Sequence, residues 1–541
     1  MDIVALLTKS IPEIDATVTS AQAATKKYGT TTFSSVIKLD GAIKVKTPKI
    51  IGTILKLANK EGFHVFPIST GNNWGYGSVQ DTPVTCPRIL LDLGALKQIT
   101  ATSKSLGLIT LQPGVTQQEL FDFLQKNNWN FMTPVTGAGP HCSILSNALE
   151  RGYGITPRTD HFMAVNALKA YLPHPDLCET LFSSAVSEMD TSGTDFIDKT
   201  YKWGLGPYID GLFTQSNLGI VTEATIRLAP IPKHFSSFYI KVFDDSSFES
   251  AIDLVENFLK DFEGTVGSIN LMDRNRLVSM TSKNPNSNSQ HINMTEDQIT
   301  ELANIKRLPK WMIVGSIYGC KPMVKHAKHE LRKKARGIGK VLFSDSIAMR
   351  AAKAILKIPL PAIKPITNIK EQLNSLNEGV DIMLGKPNQV ALPLAYWRNP
   401  RCIPDKSKTL LPDYDECGLL WYAPLIPMDA KKIVAFIKFI RDTTPKYGIE
   451  PLITFTNLRH DCIDSTVPIV FDLKNQQAKE MAHKCLDELF VEGTKQGFVP
   501  YRINTYQQSK LDRQSIFWKT TRLLKTSLDP NNIISPKRYN P

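Results

Sequence analysis

Ser69-Thr70-Gly71-Asn72-Asn73-Trp74-Gly75-Tyr76-Gly77 decides how the rest of the chain is read. It follows a short apolar run, Val65-Phe66-Pro67-Ile68, that reads as a strand. Glycine tolerates positive φ and lets a ligand come close to the backbone. Successive N–H groups in such a turn form a concavity suited to phosphate. The spacing is G-x-x-x-G-x-G, neither G-x-G-x-x-G nor a Walker A, and no helical pattern follows it. A Rossmann reading therefore fails in its own context. Taken alone, the stretch reads more readily as an ordinary Gly/Asn turn.

Working outward, Thr47-Pro48 opens a helix with Ile50, Ile51, Ile54, Leu55 and Leu57 on one face and Gly62 at its end. Beyond the loop, Arg88 to Leu93 and Gly107 to Gln112 read as strands, and Thr116 caps a helix carrying Leu120, Phe121, Phe123 and Leu124. Helices alternating with short strands indicate an α/β or α+β domain. After Pro230 and Pro232 the texture changes. Phe235 to Phe243 alternates as a strand, and Phe248 to Phe262 is an amphipathic helix. Lys283 to Gln290 reads as a polar loop.

The chain has 541 residues, beyond the size at which one core stops growing, so two domains are expected, one of them open to being discontinuous. Sixty-four basic against 51 acidic residues give a net charge of +13, a mild bias that suits an anionic ligand. No aromatic-interleaved basic motif points to nucleic acid. Cys86, Cys142, Cys178, Cys320, Cys402, Cys417, Cys462 and Cys485 are scattered and form no C-x-x-C, as expected of reduced thiols in a cytoplasmic protein with no structural zinc. The start, Met1-Asp2-Ile3-Val4, does not read as a signal peptide, and no apolar run is long enough for a membrane span. His326 to Arg336 and Ala354 to Ile366 read as a solvated basic face and a Pro-broken apolar stretch rather than as a membrane contact.

Two further dense stretches are Ser146 to His161 (SNALERGYGITPRTDH) and Gly204 to Thr222 (GLGPYIDGLFTQSNLGIVT), and the chain closes with Asp529 to Pro536 (DPNNIISP). With the glycine loop, these motifs resemble the vanillyl-alcohol oxidase and p-cresol methylhydroxylase flavoprotein family over nearly the whole chain. The resemblance implies an α+β fold: a PCMH-type FAD-binding domain of two subdomains with an inserted α+β cap. It puts the FAD domain at 1–232 plus 496–541 and the substrate-binding cap at 233–495. The cofactor contacts it implies are Ser69, Thr70, Gly71, Asn72, Asn73, Gly75, Tyr76 and Gly77 from the loop. Ser146, Asn147, Gly152 and Gly154 come from the second motif, and Gly211, Ser216, Asn217, Gly219 and Ile220 from the third.

The resemblance also implies chemistry. In this family a para-substituted phenol is bound as phenolate, and its benzylic carbon gives a hydride to flavin N5 by way of a quinone methide. The family's two tyrosines and arginine match Tyr76 and the pair Tyr501-Arg502. Such a clamp is physically sound, because guanidinium is always charged and hydrogen bonds to the charged form lower a phenol's pKa. The bland alternative is that Tyr76 packs and Arg502 pairs with an acid. The family's catalytic carboxylate matches Asp160, which otherwise holds a turn or pairs with Arg158.

The segment that matches the family's covalent attachment site, Thr454 to Ser465, lacks the usual His-His pair; Asp464-Ser465 or Cys462-Ile463 stands there, and His460 is out of register. Non-covalent FAD is therefore expected, with His141-Cys142 left unmodified. Tyr396, Trp397, Arg398 and Trp421 are candidates for the substrate cavity wall, although aromatic stripes of this kind are often plain core. The expected substrate is a 4-hydroxybenzyl alcohol or a 4-alkylphenol, and the expected electron acceptor is O2 or a cytochrome. The family often dimerises. Two rival readings stand beside this one. The same fold would oxidise another alcohol or a natural-product intermediate, or the protein would bind flavin without turnover.

Overall fold

The computed structural model describes residues 2–34, 36–79, 86–185, 192, 196–287, 292–345 and 364–540, with side chains from 373 in the last span. Ala354 to Ile363 and the end of the polar loop, 288–290, lie outside the described residues.

The first sheet has the order Ala16–Ser20, Gly41–Val45, Arg88–Asp92, His64–Ile68. Its last two pairings are parallel. The helix Ile50–Glu61 makes the crossover that parallel strands require. It buries Ile50, Ile51, Ile54 and Leu55, and ends at Gly62 with φ 73°, a left-handed cap that glycine adopts without strain. His64–Ile68 would be an edge, but residues 533–535 run beside it. The Val65 N–H donates to Ile533 O (2.8 Å) and the Ser535 N–H to Val65 O (3.0 Å). The glycine loop leaves from the end of this strand. Pairing it on both sides fixes where the loop begins.

A second, antiparallel sheet runs Ile99–Ser103, Leu108–Leu111, Ile220–Arg227, Val165–Tyr171, Leu181–Ser183. The helix Gln117–Lys126 packs near it. That helix starts in a capping box, with Thr116 Oγ1 accepting from the Glu119 N–H and Glu119 accepting from the Thr116 N–H.

The third sheet has nine strands. Eight of them follow the order Lys340–Asp345, His234–Val242, Trp311–Gly319, Asn270–Asp273, Thr454–Asn457, Cys462–Asp472, Pro424–Pro427, Val499–Pro500, and Cys417–Tyr422 also pairs with Cys462–Asp472. Register explains its two faces. Ile313, Leu271, Phe455 and Ser465 lie in one cross-strand row and are fully buried. Ile313, Leu271 and Phe455 belong to a core with Phe258 and Phe436 of the helices Phe248–Asp261 and Ala430–Thr443. Burying such a side chain is worth about 1.5–3 kcal/mol. Side chains alternate along a strand. The flanking rows, Val314–Asn270–Thr456–Asp464 and Met312–Met272–Thr454–Thr466, therefore point the other way. That second face is the roof of the main cavity.

Among the described residues no cysteine is joined in a disulfide. Among the described residues no helix is long and apolar enough to cross a membrane.

Candidate active site

A cavity of about 850 Å³ lies between the glycine loop, the second and third motifs and the roof of the nine-stranded sheet. One wall is formed by Ser69 to Trp74 and Tyr76, and a second by Ser146, Asn147, Gly152 to Ile155, Ser216, Gly219 and Ile220. Residues 533–538 join it through Ile534, Ser535 and Arg538.

The loop's three glycines divide in their use. Gly71, Gly75 and Gly77 all have φ near +77°, with individual values of 77°, 79° and 76°. A Cβ at Gly71 would meet only Ile68 Cδ1 at 3.8 Å, so this position leaves open space toward the cavity. At Gly75 a Cβ would reach 2.4 Å from Trp421 Cδ1, and at Gly77 2.8 Å from Phe33 Cζ. Gly75 and Gly77 thus serve packing and do not line the cavity, contrary to the expectation for the loop as a whole. The amides of Asn73, Tyr76 and Gly77 bond within the loop, and that of Gly75 donates to Thr32 Oγ1 (2.8 Å). Those of Ser69, Thr70, Gly71 and Asn72 have no partner among the described residues. Four consecutive free amides on a cavity wall fit an anionic pyrophosphate.

Two other cofactor expectations move. The Asn217 side-chain amide donates to Ser535 O (3.0 Å), while its carbonyl accepts from Lys525 Nζ (2.7 Å). It ties the 533–538 segment down and does not line the cavity. Gly211 sits against Tyr208, also away from the wall.

Tyr76, Tyr501 and Arg502 do come together. The Arg502 guanidinium carbon lies 4.2 Å from the Tyr76 ring centroid. Arg502 Nη2 donates to Asn73 Oδ1 (2.5 Å), and Nε faces Glu150 Oε2 at 3.4 Å. Tyr501 is held by its backbone: its N–H donates to Ala423 O (3.2 Å), and its carbonyl accepts from Gln215 Nε2 (3.1 Å). Both tyrosines line the cavity, and neither hydroxyl has a partner among the described residues.

Glu150 also pairs with Arg538. Burial alone would raise its pKa, but Arg538 and Arg502 outweigh burial and hold the carboxyl below its usual range. Burial alone would lower Arg502, but Glu150 and the facing tyrosines outweigh it and keep the guanidinium firmly charged. The three groups carry two positive charges and one negative. The pairing of Arg502 with an acid is therefore real, yet a net charge of +1 remains beside the two free hydroxyls. Burial pushes the pKa of Tyr76 and Tyr501 up, so both stay protonated donors.

Asp160 is not in this group. It is exposed, its Oδ1 accepts from the Met163 N–H (3.0 Å), and it holds a turn outside the cavity. The carboxyl beside the clamp is Asp464, from the roof strand Cys462–Asp472. It is fully buried, and burial raises its pKa well above the carboxylate range. Tyr153 donates to Oδ2, as does Thr466 Oγ1 at 3.2 Å, while Oδ1 has no partner among the described residues. The Tyr153 ring is 5.8 Å from that of Tyr501, and Asp464 is near enough to raise the pKa of Tyr76 and Tyr501.

Of the cap candidates only Trp421 lines the cavity, with Nε1 donating to Trp74 O (3.1 Å). Tyr396 is buried and donates to Asp415 Oδ2 (2.5 Å). Trp397 is packed in the same core cluster as Leu394 and Leu410. Arg398 is spent on Glu450, with Nε 2.9 Å from Oε2. Among the described residues no histidine lines the cavity, whereas Cys142 does. His141 faces Thr409 at 3.3 Å, and Ser465 turns to the opposite face of the roof, where it donates to Pro424 O (3.0 Å).

This fold and wall define a flavin-binding enzyme class, and comparison with known proteins gives the family. The family described as FAD binding domain matches residues 39–176. The chain is 29% identical to 1'-carboxy-chondrochloren decarboxylase of Chondromyces crocatus, over 96% of this chain and 93% of the relative. It is 26% identical to the flavoprotein subunit of 4-cresol dehydrogenase (hydroxylating) of Pseudomonas putida, over 92% and 87%. Its fold is similar to that of p-cresol methylhydroxylase with substrate bound (TM-score 0.81, 21% identity, 97% and 93% covered). It is also similar to that of 4-ethylphenol oxidase from Gulosibacter chungangensis (TM-score 0.84, 19% identity, 99% and 96% covered). In sequence and fold the chain is thus similar to the vanillyl-alcohol oxidase and p-cresol methylhydroxylase flavoproteins. It is an FAD-dependent oxidoreductase.

Proposed function

We propose that the protein oxidises a para-substituted phenol at its benzylic carbon, a 4-hydroxybenzyl alcohol or a 4-alkylphenol. The observation that carries this reading is the pair of free hydroxyls, Tyr76 and Tyr501, beside a triad of net charge +1. An anionic oxygen placed there gains two neutral donors and one charged donor, and stabilising the charged form lowers a phenol's pKa. Ionising the ring oxygen makes its electrons available to expel hydride from the benzylic carbon of the para substituent as a quinone methide forms. FAD, when bound, supplies the acceptor for that hydride. The free amides from Ser69 to Asn72, with Ser146, Asn147, Ser216 and Gly219, would hold it.

Asp464 takes the carboxyl role expected of Asp160. Burial raises its pKa well above the usual carboxylate value, which favours a carboxyl that exchanges a proton, here with the benzylic oxygen. FAD is held without a covalent bond, a reading supported by the lack of a cavity-lining histidine among the described residues. We infer the division into an FAD domain (1–232 plus 496–541) and a cap (233–495) from the three sheets. Val499–Pro500 pairs with Pro424–Pro427, so the second FAD segment begins inside the large sheet. Electrons then pass to O2 or a cytochrome.

The Chondromyces crocatus relative, a decarboxylase by name, favours a second reading in which the substrate is a carboxylated natural-product intermediate. The deciding experiment is anaerobic reduction of the purified holoenzyme by phenols and by non-phenolic alcohols, followed by air. Bleaching by phenols supports the proposal. Bleaching only by other alcohols refutes it. Flavin released by acid precipitation confirms non-covalent binding, and flavin that stays with the precipitate refutes it.

A further inference from the structure

The roof of the cavity holds a second cation that the phenol clamp does not use. Arg276 belongs to the helix Arg274–Thr281 and lines the cavity. Its guanidinium is held only by hydroxyls: Nε donates to Thr454 Oγ1 and Nη1 to Ser279 Oγ, each at 3.3 Å. Among the described residues no carboxylate lies within ion-pair distance of it. The nearest acid in sequence, Asp273, is engaged elsewhere. Its Oδ1 caps the helix by accepting from the Arg276 N–H (2.9 Å) and also accepts from the Ile453 N–H (3.1 Å), while Oδ2 faces Arg441 at 3.8 Å. Burial lowers Arg276 to about 10, so it is still charged at neutral pH. Asp273 attracts the guanidinium at longer range without pairing with it, and a half-buried cation with no ion-pair partner is costly unless a ligand supplies one.

The register places this cation relative to the clamp. Thr454 is one strand and two residues away from Asp464, because Thr456 is the partner of Asp464. Strand spacing and rise put Thr454 about 8 Å from Asp464. On the same face Thr456 stands beside Asp464, and Asn270 follows on the next strand across Thr456, its Oδ1 without a partner among the described residues. Among the described residues the only acid lining the cavity is Glu150, already shared by Arg502 and Arg538.

We propose that Arg276 binds a carboxylate carried on the para side chain of the substrate, which makes the substrate class a 4-(carboxyalkyl)phenol. This assignment rests on the phenol reading and narrows it. One end of the molecule is held as phenolate at Tyr76, Tyr501 and Arg502. The other is held as carboxylate by the fork of Arg276, whose geometry suits a planar carboxylate. The benzylic carbon lies between the two anchors, under the roof row that carries Asp464.

The test uses the FAD-loaded enzyme and two ligands, 3-(4-hydroxyphenyl)propanoate and 4-propylphenol, with dissociation constants read from the flavin absorbance. The wild type should bind the carboxylate at least tenfold more tightly. In Arg276→Met the ratio of the two constants should fall at least tenfold, and Arg276→Lys, which keeps the charge, should retain more of it. An unchanged ratio in Arg276→Met overturns the assignment. So does loss of FAD from that variant, which would make Arg276 a cofactor ligand. If 4-propylphenol binds without any preference for the carboxylate, only the Arg276 assignment falls. If neither ligand perturbs the flavin, the phenol reading falls and the assignment falls with it.

Discussion

Arg502→Met separates the charge in the clamp from its shape. Two unit charges about 4 Å apart interact by about 4 kcal/mol at an effective dielectric of about 20. Glu150, at 3.4 Å from Arg502 Nε, cancels part of that field. About half remains for the ligand, roughly 2 kcal/mol, or about 1.5 pKa units. The variant should therefore bind phenolate about 30-fold more weakly. The pKa of the bound phenol should move up, toward its value in water. Glu150 keeps Arg538 as a partner, so the variant should fold and keep FAD. The assay is a pH titration of the phenolate absorption of a bound phenol, wild type against variant. Tyr501→Phe and Arg502→Lys should each lower phenol turnover more than tenfold with FAD retained. If affinity and bound-phenol pKa are the same in Arg502→Met, the electrostatic reasoning is wrong, whatever happens to turnover.

Asp464→Asn keeps size and hydrogen bonding but removes the exchangeable proton. Turnover of a 4-hydroxybenzyl alcohol should fall by about 10²-fold or more, the usual scale of acid–base catalysis, while phenol affinity holds; equal loss of both would make Asp464 merely structural. Lys525→Met removes a buried ammonium that binds Asp529, Asn217 O (2.7 Å) and Ile534 O (3.0 Å). Leaving Asp529 unpaired should cost about 3–5 kcal/mol and show as a lower Tm and lower FAD content. His161 is buried, and burial lowers its pKa to about 4. The unfolded chain takes up a proton near pH 6.5 and the folded one does not, so stability should fall as pH drops from 6.5 toward 4. His161→Gln should flatten that part of a urea-midpoint profile.

What could be read from the sequence was local. Gly71 and Gly62 announce positive φ by residue type, and both have it. Tyr76, Tyr501 and Arg502 were legible because their neighbours are distinctive. What escaped depends on strand register. Asp464 lies in the roof row because its strand aligns it with Thr456 and Asn270, which no spacing reveals. Asp160 misled because an Asp beside a His in a motif looks the same whether it faces a cavity or caps a turn. Glu150 and Tyr153 stood in plain view inside SNALERGYG, and a charge balance around Arg502 would have singled out Glu150.

The pairing of residues 533–535 with Val65 has a consequence for biosynthesis. The loop at Ser69 leaves the ribosome some 460 residues before the strand that buttresses it. Until that strand emerges, the free amides of the loop hang from an unpaired edge, and Arg538 is absent from the charge triad. Flavin capture thus belongs to the finished chain. A messenger truncated before Ile533 yields a polypeptide without the strand that buttresses the glycine loop. Early stop codons in this gene should therefore yield colourless protein.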